Sequence, residues 1–280
     1  MLETFLWVAL GLFVIASLGP RNKRPSFLVG AIGWALFTIY WAIEPTYYLG
    51  IGDFYNATLT FLTSIFCIFI ALLNTKAYLS NVSKKASKKV SKTLYAPKVL
   101  KATESLYTIT CAAAIGGVFY FSFAEVSTLN TWLIDVVTSQ TVWILRSLGV
   151  LATFSGKHIF VNRYDIEIIL ACTGIESMAL FAGVIGAVEA PTKRRIKAFM
   201  ISVPGIYLLN LLRNVFVVVA SGYQWFGPVD KSFYIAHHLI AKIGSTVALL
   251  VIAYAVLRIL PELVDLIADV ARMFKNLGGS

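Results

Sequence analysis

Residues Ile168-Ile169-Leu170-Ala171-Cys172-Thr173-Gly174-Ile175-Glu176-Ser177 end an extended apolar run and open an apolar helix over about 171–189. A run of that length and character is long enough to cross a bilayer, which takes about 20 residues. Working outward, the same character fills most of the chain. It is 58% hydrophobic and 14% charged, with a mean hydropathy of +0.78. A soluble domain has no use for that much apolar surface. In hydrocarbon the backbone must bond within its own segment, so helices or a closed barrel remain. Barrel strands alternate apolar and polar residues, and no such alternation is present. The sequence therefore predicts an all-α polytopic membrane protein.

About seven spans are expected, at 3–19, 27–43, 54–73, 106–123, 171–189, 198–220 and 233–259. Gly19-Pro20 stops the first, which reads as a retained helix and not a cleaved leader. Glu44-Pro45 ends the second. A polybasic linker follows the third, carrying Lys76, Lys84, Lys85, Lys88, Lys89, Lys92, Lys98 and Lys101. Residues 125–150, with Asp135, Gln140 and Arg146, read as an interfacial or re-entrant segment. Residues 157–170 read as a short hairpin turning at Asn162-Arg163. Lys193, Arg194, Arg195 and Lys197 form a basic loop. Beyond Pro261, apolar residues recur at helical spacing, as in a helix lying on a membrane surface. Three regions result: an N-terminal membrane region with its linker (1–105), a membrane core (106–260) and an amphipathic tail (261–280).

Charge fixes the expected orientation. Loops on one side hold 18 Lys and Arg and those on the other hold 4, with Arg213 and Lys242 inside spans. The basic side is cytoplasmic by the positive-inside rule. Residues 125–150 and the hairpin then lie on the extracytoplasmic face. The net charge of +10 is thereby explained by topology and anionic headgroups, without nucleic acid. Three dispersed cysteines give no disulfide framework. No His or Cys spacing resembles a metal site, so neither metal nor cofactor is expected.

With this topology Cys172, Arg213 and His237 fall at similar depth near the extracytoplasmic surface. Each has a bland reading alone. A cysteine in an apolar run is ordinarily packing, a membrane arginine near a helix end snorkels, and His237-His238 can simply be interfacial. Cys172 differs because it opens a helix, where free N–H groups favour a thiolate. Asn210 and Asn214 beside Arg213 suggest a polar pocket. Together the three offer a nucleophile, a proton carrier and an oxyanion donor. Glu176 could orient the histidine or pair with Arg213. His238 and Lys242 are further candidates for catalysis or substrate binding.

Three motifs, Ala171-Cys172-Thr173-Gly174-Ile175-Glu176-Ser177, Asn210-Leu211-Leu212-Arg213-Asn214 and Ala236-His237-His238 through Ser245, resemble the exosortase/archaeosortase family in order and spacing. The resemblance covers about residues 150–255. It implies a cysteine transpeptidase of the cell membrane, with Cys172, Arg213 and His237 catalytic. It also implies a substrate: surface proteins of the S-layer glycoprotein kind, bearing a C-terminal signal of short motif, apolar helix and basic tail. In one branch the motif is Pro-Gly-Phe. The signal is cleaved through a thioester and the product is anchored to membrane lipid. The alternative reading of the residues is an anion or small-molecule transporter built on Arg213 and Lys242, although no internal repeat of the transporter kind is visible.

Overall fold

The computed structural model describes residues 2–19, 24–50, 52–86 and 96–277. Arg21, Lys23, Lys88, Lys89 and Lys92 of the basic loops lie outside these residues. Ten α-helices are described: α1 (Leu2–Leu18), α2 (Arg24–Gly50), α3 (Phe54–Ala86), α4 (Ala96–Glu125), α5 (Ser127–Ser147), α6 (Ile175–Ala187), α7 (Thr192–Gly222), α8 (Val229–Phe233), α9 (Lys242–Ile259) and α10 (Pro261–Leu277). Strands β1 (Ala152–Ser155), β2 (His158–Val161) and β3 (Tyr164–Glu167) lie between α5 and α6. Among the described residues five helical stretches are long and apolar enough to cross a membrane: Pro25–Gly50, Phe54–Leu79, Lys101–Glu125, Thr192–Gly222 and Val229–Ile259. Glu3–Leu18 and Ile175–Ala187 are shorter apolar helices. Many large side chains point outward, Leu208, Leu250 and Val251 among them. This is the surface of an all-α polytopic membrane protein, whose lipid-facing side chains need no polar cover.

Two compact units divide the chain. In the first, α1 to α3, most of α4 and α10 pack around Leu6, Leu10, Phe13, Phe27 and Ile70, all fully buried. Phe13 meets Trp34 with ring centroids 4.7 Å apart, and the Trp34 indole N–H donates to Thr110 Oγ1 at 3.1 Å. The tail helix α10 is amphipathic as expected. Leu263 and Met273 are buried, and Phe274 stacks on Phe69.

In the second unit, α7 and the last span run antiparallel. At their far end the Arg194 guanidinium donates to the Ile259 carbonyl at 3.3 Å. Arg195 likewise donates to Ile185 O at 3.1 Å. Each arginine thus sits at a helix C-terminus, where unsatisfied carbonyls favour a cation. The sheet has order β1-β2-β3 and is antiparallel throughout. Asn162 and Arg163 take positive φ (50° and 72°), the geometry of a tight two-residue hairpin turn. The sheet rests on the end of α7. Asn162 Nδ2 donates to Gly222 O at 3.2 Å, and a Cβ on Gly222 would lie 2.7 Å from Val161 Cγ1.

Several sequence expectations change. The hairpin at 157–170 gains a third strand, β1. Pro45 does not end a span: α2 runs through it to Gly50. A proline costs a helix one backbone bond, here the one to Trp41 O, yet the helix continues. The linker contracts, because α3 extends to Ala86 and α4 begins at Ala96. Lys193 to Lys197 are the first turns of α7 and not a loop. Residues 127–147 form a 21-residue helix burying one face, including Val137 and Leu145. The last span is not uniform, since Tyr234–Ala241 is a π-helix between α8 and α9.

Candidate active site

Cys172 lies in a 3₁₀ turn, Leu170–Cys172, and α6 begins three residues later at Ile175. The expectation that Cys172 itself opens the helix is therefore corrected. Its own N–H bonds to Ile169 O at 2.8 Å, closing the turn. Thr173 Oγ1 accepts from the first helical amide, Ile175 N, at 3.3 Å and donates to Leu170 O at 2.7 Å. The free amides of α6 thus lie beyond the cysteine. Gly174 makes the sharp exit with φ +75°. A Cβ there would lie 3.3 Å from both Cβ and Cγ of Asn210. Small size and left-handed backbone are both required at that position.

Asn210 and Asn214 sit one helical turn apart on α7, so their side chains share a face. Both amides donate to one acceptor, the Cys172 carbonyl, at 2.6 Å and 2.8 Å. Asn214 is buried at 3% exposure. The two bonds occupy both lone pairs of that oxygen. They fix the cysteine turn against α7 in a setting where an unmet carbonyl is costly. The Cys172 side chain is buried, and its thiol has no hydrogen-bond partner among the described residues.

Between these asparagines Arg213 points to the last span. Its Nη2 lies 3.0 Å from His237 Nε2. A guanidinium only donates, so Nε2 accepts, and the neutral imidazole carries its proton on Nδ1. Nδ1 is buried and has no partner among the described residues. The ring is held flat against Phe233, with centroids 5.0 Å apart and planes within 9°. The π-helix carries the histidine on a widened turn, a feature that often marks functional positions.

Of the residues singled out in the sequence, Cys172, Asn210 and Asn214 form one hydrogen-bonded group and Arg213 and His237 another, both carried by α7. Three stand outside these bonds. His238 is exposed and touches Phe233, Tyr234 and His237 only through its ring. Glu176 is exposed and makes neither expected contact, with His237 or with Arg213. Lys242 is exposed one residue past the π-helix. In the sheet, His158 Nδ1 pairs with Asp165 at 3.0 Å, and Lys157 pairs with Glu167. The Lys157 ammonium holds the Glu167 carboxyl below its ordinary value. The described residues contain no cluster of three or more His, Cys, Asp or Glu able to hold a metal.

A cavity of about 360 Å³ opens between α7 and α9 beside these two groups. Gly174, Asn210 and Arg213 border it, and along α7 it runs from Ile206 to Phe216. Sequence reasoning missed it, although Gly244, Ser245 and Ala248 form a run of small residues along its wall.

A polytopic membrane protein with these motifs at the start of α6, on α7 and on the last span can be set beside known families. The description "Transmembrane exosortase" matches residues 3–255, and the chain belongs to that family. Among its relatives, archaeosortase A of Haloferax volcanii is 29% identical, with 97% of this chain and 93% of the relative aligned. Archaeosortase A of Natronomonas pharaonis is 24% identical, with 94% and 86% aligned. No solved structure matches the chain.

Proposed function

We propose that the chain is a membrane-embedded cysteine transpeptidase of the exosortase/archaeosortase family, with Cys172, Arg213 and His237 as its catalytic residues. One observation supports this most. A single helix, α7, both clamps the Cys172 carbonyl through Asn210 and Asn214 and presents Arg213 to His237. Nucleophile, cation and imidazole are thereby bound to one rigid element, as precise chemistry requires.

In the proposed reaction Cys172 Sγ bonds to the scissile carbonyl carbon as its proton passes to His237. Arg213 occupies Nε2 in the resting arrangement and must release it for that transfer. The freed guanidinium then meets the developing oxyanion. One such donor in a water-poor site is worth about 10²–10³ in rate. Collapse of the tetrahedral intermediate expels the amine of the leaving segment, which takes the proton from His237. A thioester on Cys172 remains for the acceptor.

The substrate is the C-terminal signal of a surface protein, of the Pro-Gly-Phe type, and the thioester passes its carrier on for lipid anchoring. The signal's apolar helix lies in the bilayer beside the enzyme. The charge asymmetry of the loops favours the cell membrane, with the site at the extracytoplasmic face. The test pairs the chain with a tagged protein carrying a Pro-Gly-Phe signal. Wild type removes the signal and gives an acyl adduct on Cys172, located by mass spectrometry. Processing that persists in Cys172→Ala would refute the proposal.

A further inference from the structure

We infer that the cavity between α7 and α9 binds one hydrocarbon chain of a membrane lipid, with the lipid's anionic headgroup at Arg213. The inference deepens the proposed function, on which it rests for the lipid's role as the acceptor side of the reaction.

Three observations carry it. The first is shape. Along α7 the cavity extends from Ile206 to Phe216, ten residues or roughly 15 Å at 1.5 Å per residue. That is about the depth of one leaflet of a hydrocarbon core about 30 Å thick. The cavity holds about 360 Å³. Its length and volume suit a single extended hydrocarbon chain.

The second observation is polarity. Most of the lining is apolar or small, as at Leu209, Leu212, Gly244, Ala248, Leu249 and Ile252, and its one charged group is Arg213. An amphiphile with one polar head has the same distribution.

The third is charge. Among the described residues no carboxylate pairs with Arg213. One of its N–H groups goes to a neutral acceptor, His237 Nε2. An arginine within a membrane span normally finds an anion. Its guanidinium matches phosphate oxygens in geometry as well as charge. Asn210 also lines the cavity and holds the Cys172 carbonyl, so a headgroup at Arg213 lies close to the cysteine turn.

Gly244 gives the test. It lines the cavity, and a Cβ there would meet nothing within 4 Å. Gly244→Phe fills the space and raises helix propensity. Gly205 also has open space but does not line the cavity, so Gly205→Phe is the control. The full chain, in nanodiscs of zwitterionic lipid, is labelled with a single-chain alkyl phosphate bearing a photoreactive group. Crosslinks are expected on α7 and α9, about fivefold more than with the uncharged alcohol of equal length. Gly244→Phe removes them, Gly205→Phe keeps them, and inorganic phosphate does not compete. In wild type alone, labelling rises with chain length and levels off once the chain spans the cavity.

Equal labelling by phosphate and alcohol, or labelling indifferent to Gly244→Phe, overturns the inference. So does displacement of the probe by inorganic phosphate alone. A photoreactive signal-helix peptide that crosslinks to Gly244 where the alkyl phosphate does not also overturns it. Labelling needs no catalysis, so the two readings fail separately. Loss of the Cys172 adduct with labelling intact refutes the transpeptidase and upholds the lipid site. Adduct formation with labelling indifferent to Gly244→Phe does the reverse.

Discussion

Arg213 donates to Nε2 of His237 across 3.0 Å, and this bond joins α7 to the widened turn of the last span. It separates two adjacent histidines that the sequence leaves nearly equivalent. His237→Gln is expected to slow signal removal about 10²-fold, the ordinary worth of a positioned proton carrier. His238→Ala, which removes an exposed ring, should stay within about twofold of wild type, in line with ordinary surface substitutions. Single-turnover cleavage of a tagged substrate measures both. Equal losses would contradict the assignment.

The two asparagine bonds to the Cys172 carbonyl predict a coupled pair. Asn210→Ala or Asn214→Ala alone leaves one donor in place, at a cost of about 1 kcal/mol each. The double variant strands a carbonyl and should lose more than the sum, because groups sharing one partner are not additive. Thermal unfolding in detergent gives the stability cycle. The alkylation rate of Cys172, rising in the double variant, reports release of the turn.

Gly174→Ala should be worse than its size suggests. The backbone at φ +75° disfavours any L residue by about 1–2 kcal/mol. The added methyl also presses on Asn210, whose Cβ and Cγ it meets at 3.3 Å. A lowered Tm accompanied by lost processing is expected. Activity at wild-type level would mean that the turn need not hold its shape.

The sheet carries a pH dependence of known sign. Glu167 titrates below its ordinary value of 4.5 because Lys157 stabilises the carboxylate. A depressed carboxyl stabilises the fold above its unfolded value, and that contribution disappears as pH falls through the lower folded value. Exchange protection of the β2 and β3 amides should therefore include an acid step below about 4.5. The effect should be small and weaken in high salt, since the pair is exposed. In Glu167→Gln this acid step should be absent.

Much of this architecture is legible in the residues. Seven apolar stretches mark the helices because hydrocarbon leaves few alternatives for a backbone. Arg213 and His237 stand out because membranes rarely keep ionisable groups without use, and Cys172 because it lies where an extended apolar run meets a helix. Other features lie beyond a one-dimensional reading. Pro45 and the lysines near 76–101 read as breaks, yet α2 and α3 continue through Pro45 and Lys76, and α4 already holds Lys98 and Lys101. A helix tolerates one missing bond, and lysines are good helix formers once the chain leaves lipid. Asn210 and Asn214 were visible as a pair, but their shared target, a backbone carbonyl 38 and 42 residues away, was not. Strand β1 is four residues long and pairs only through its neighbour.

The π-helix at Tyr234–Ala241 has a further consequence. Successive residues of an α-helix turn by roughly 100°. On an unbroken helix His237 would stand in file with Ala241, Gly244 and Ala248, its ring overhanging the lipid-sized groove. Wider turns rotate each residue less, so the eight residues accumulate an angular lag. The groove wall accordingly includes Ala241, Gly244, Ser245 and Ala248 but not His237. One local change of helical pitch thus turns His237 out of the file of Ala241, Gly244 and Ala248, while its partner Arg213 still borders the groove.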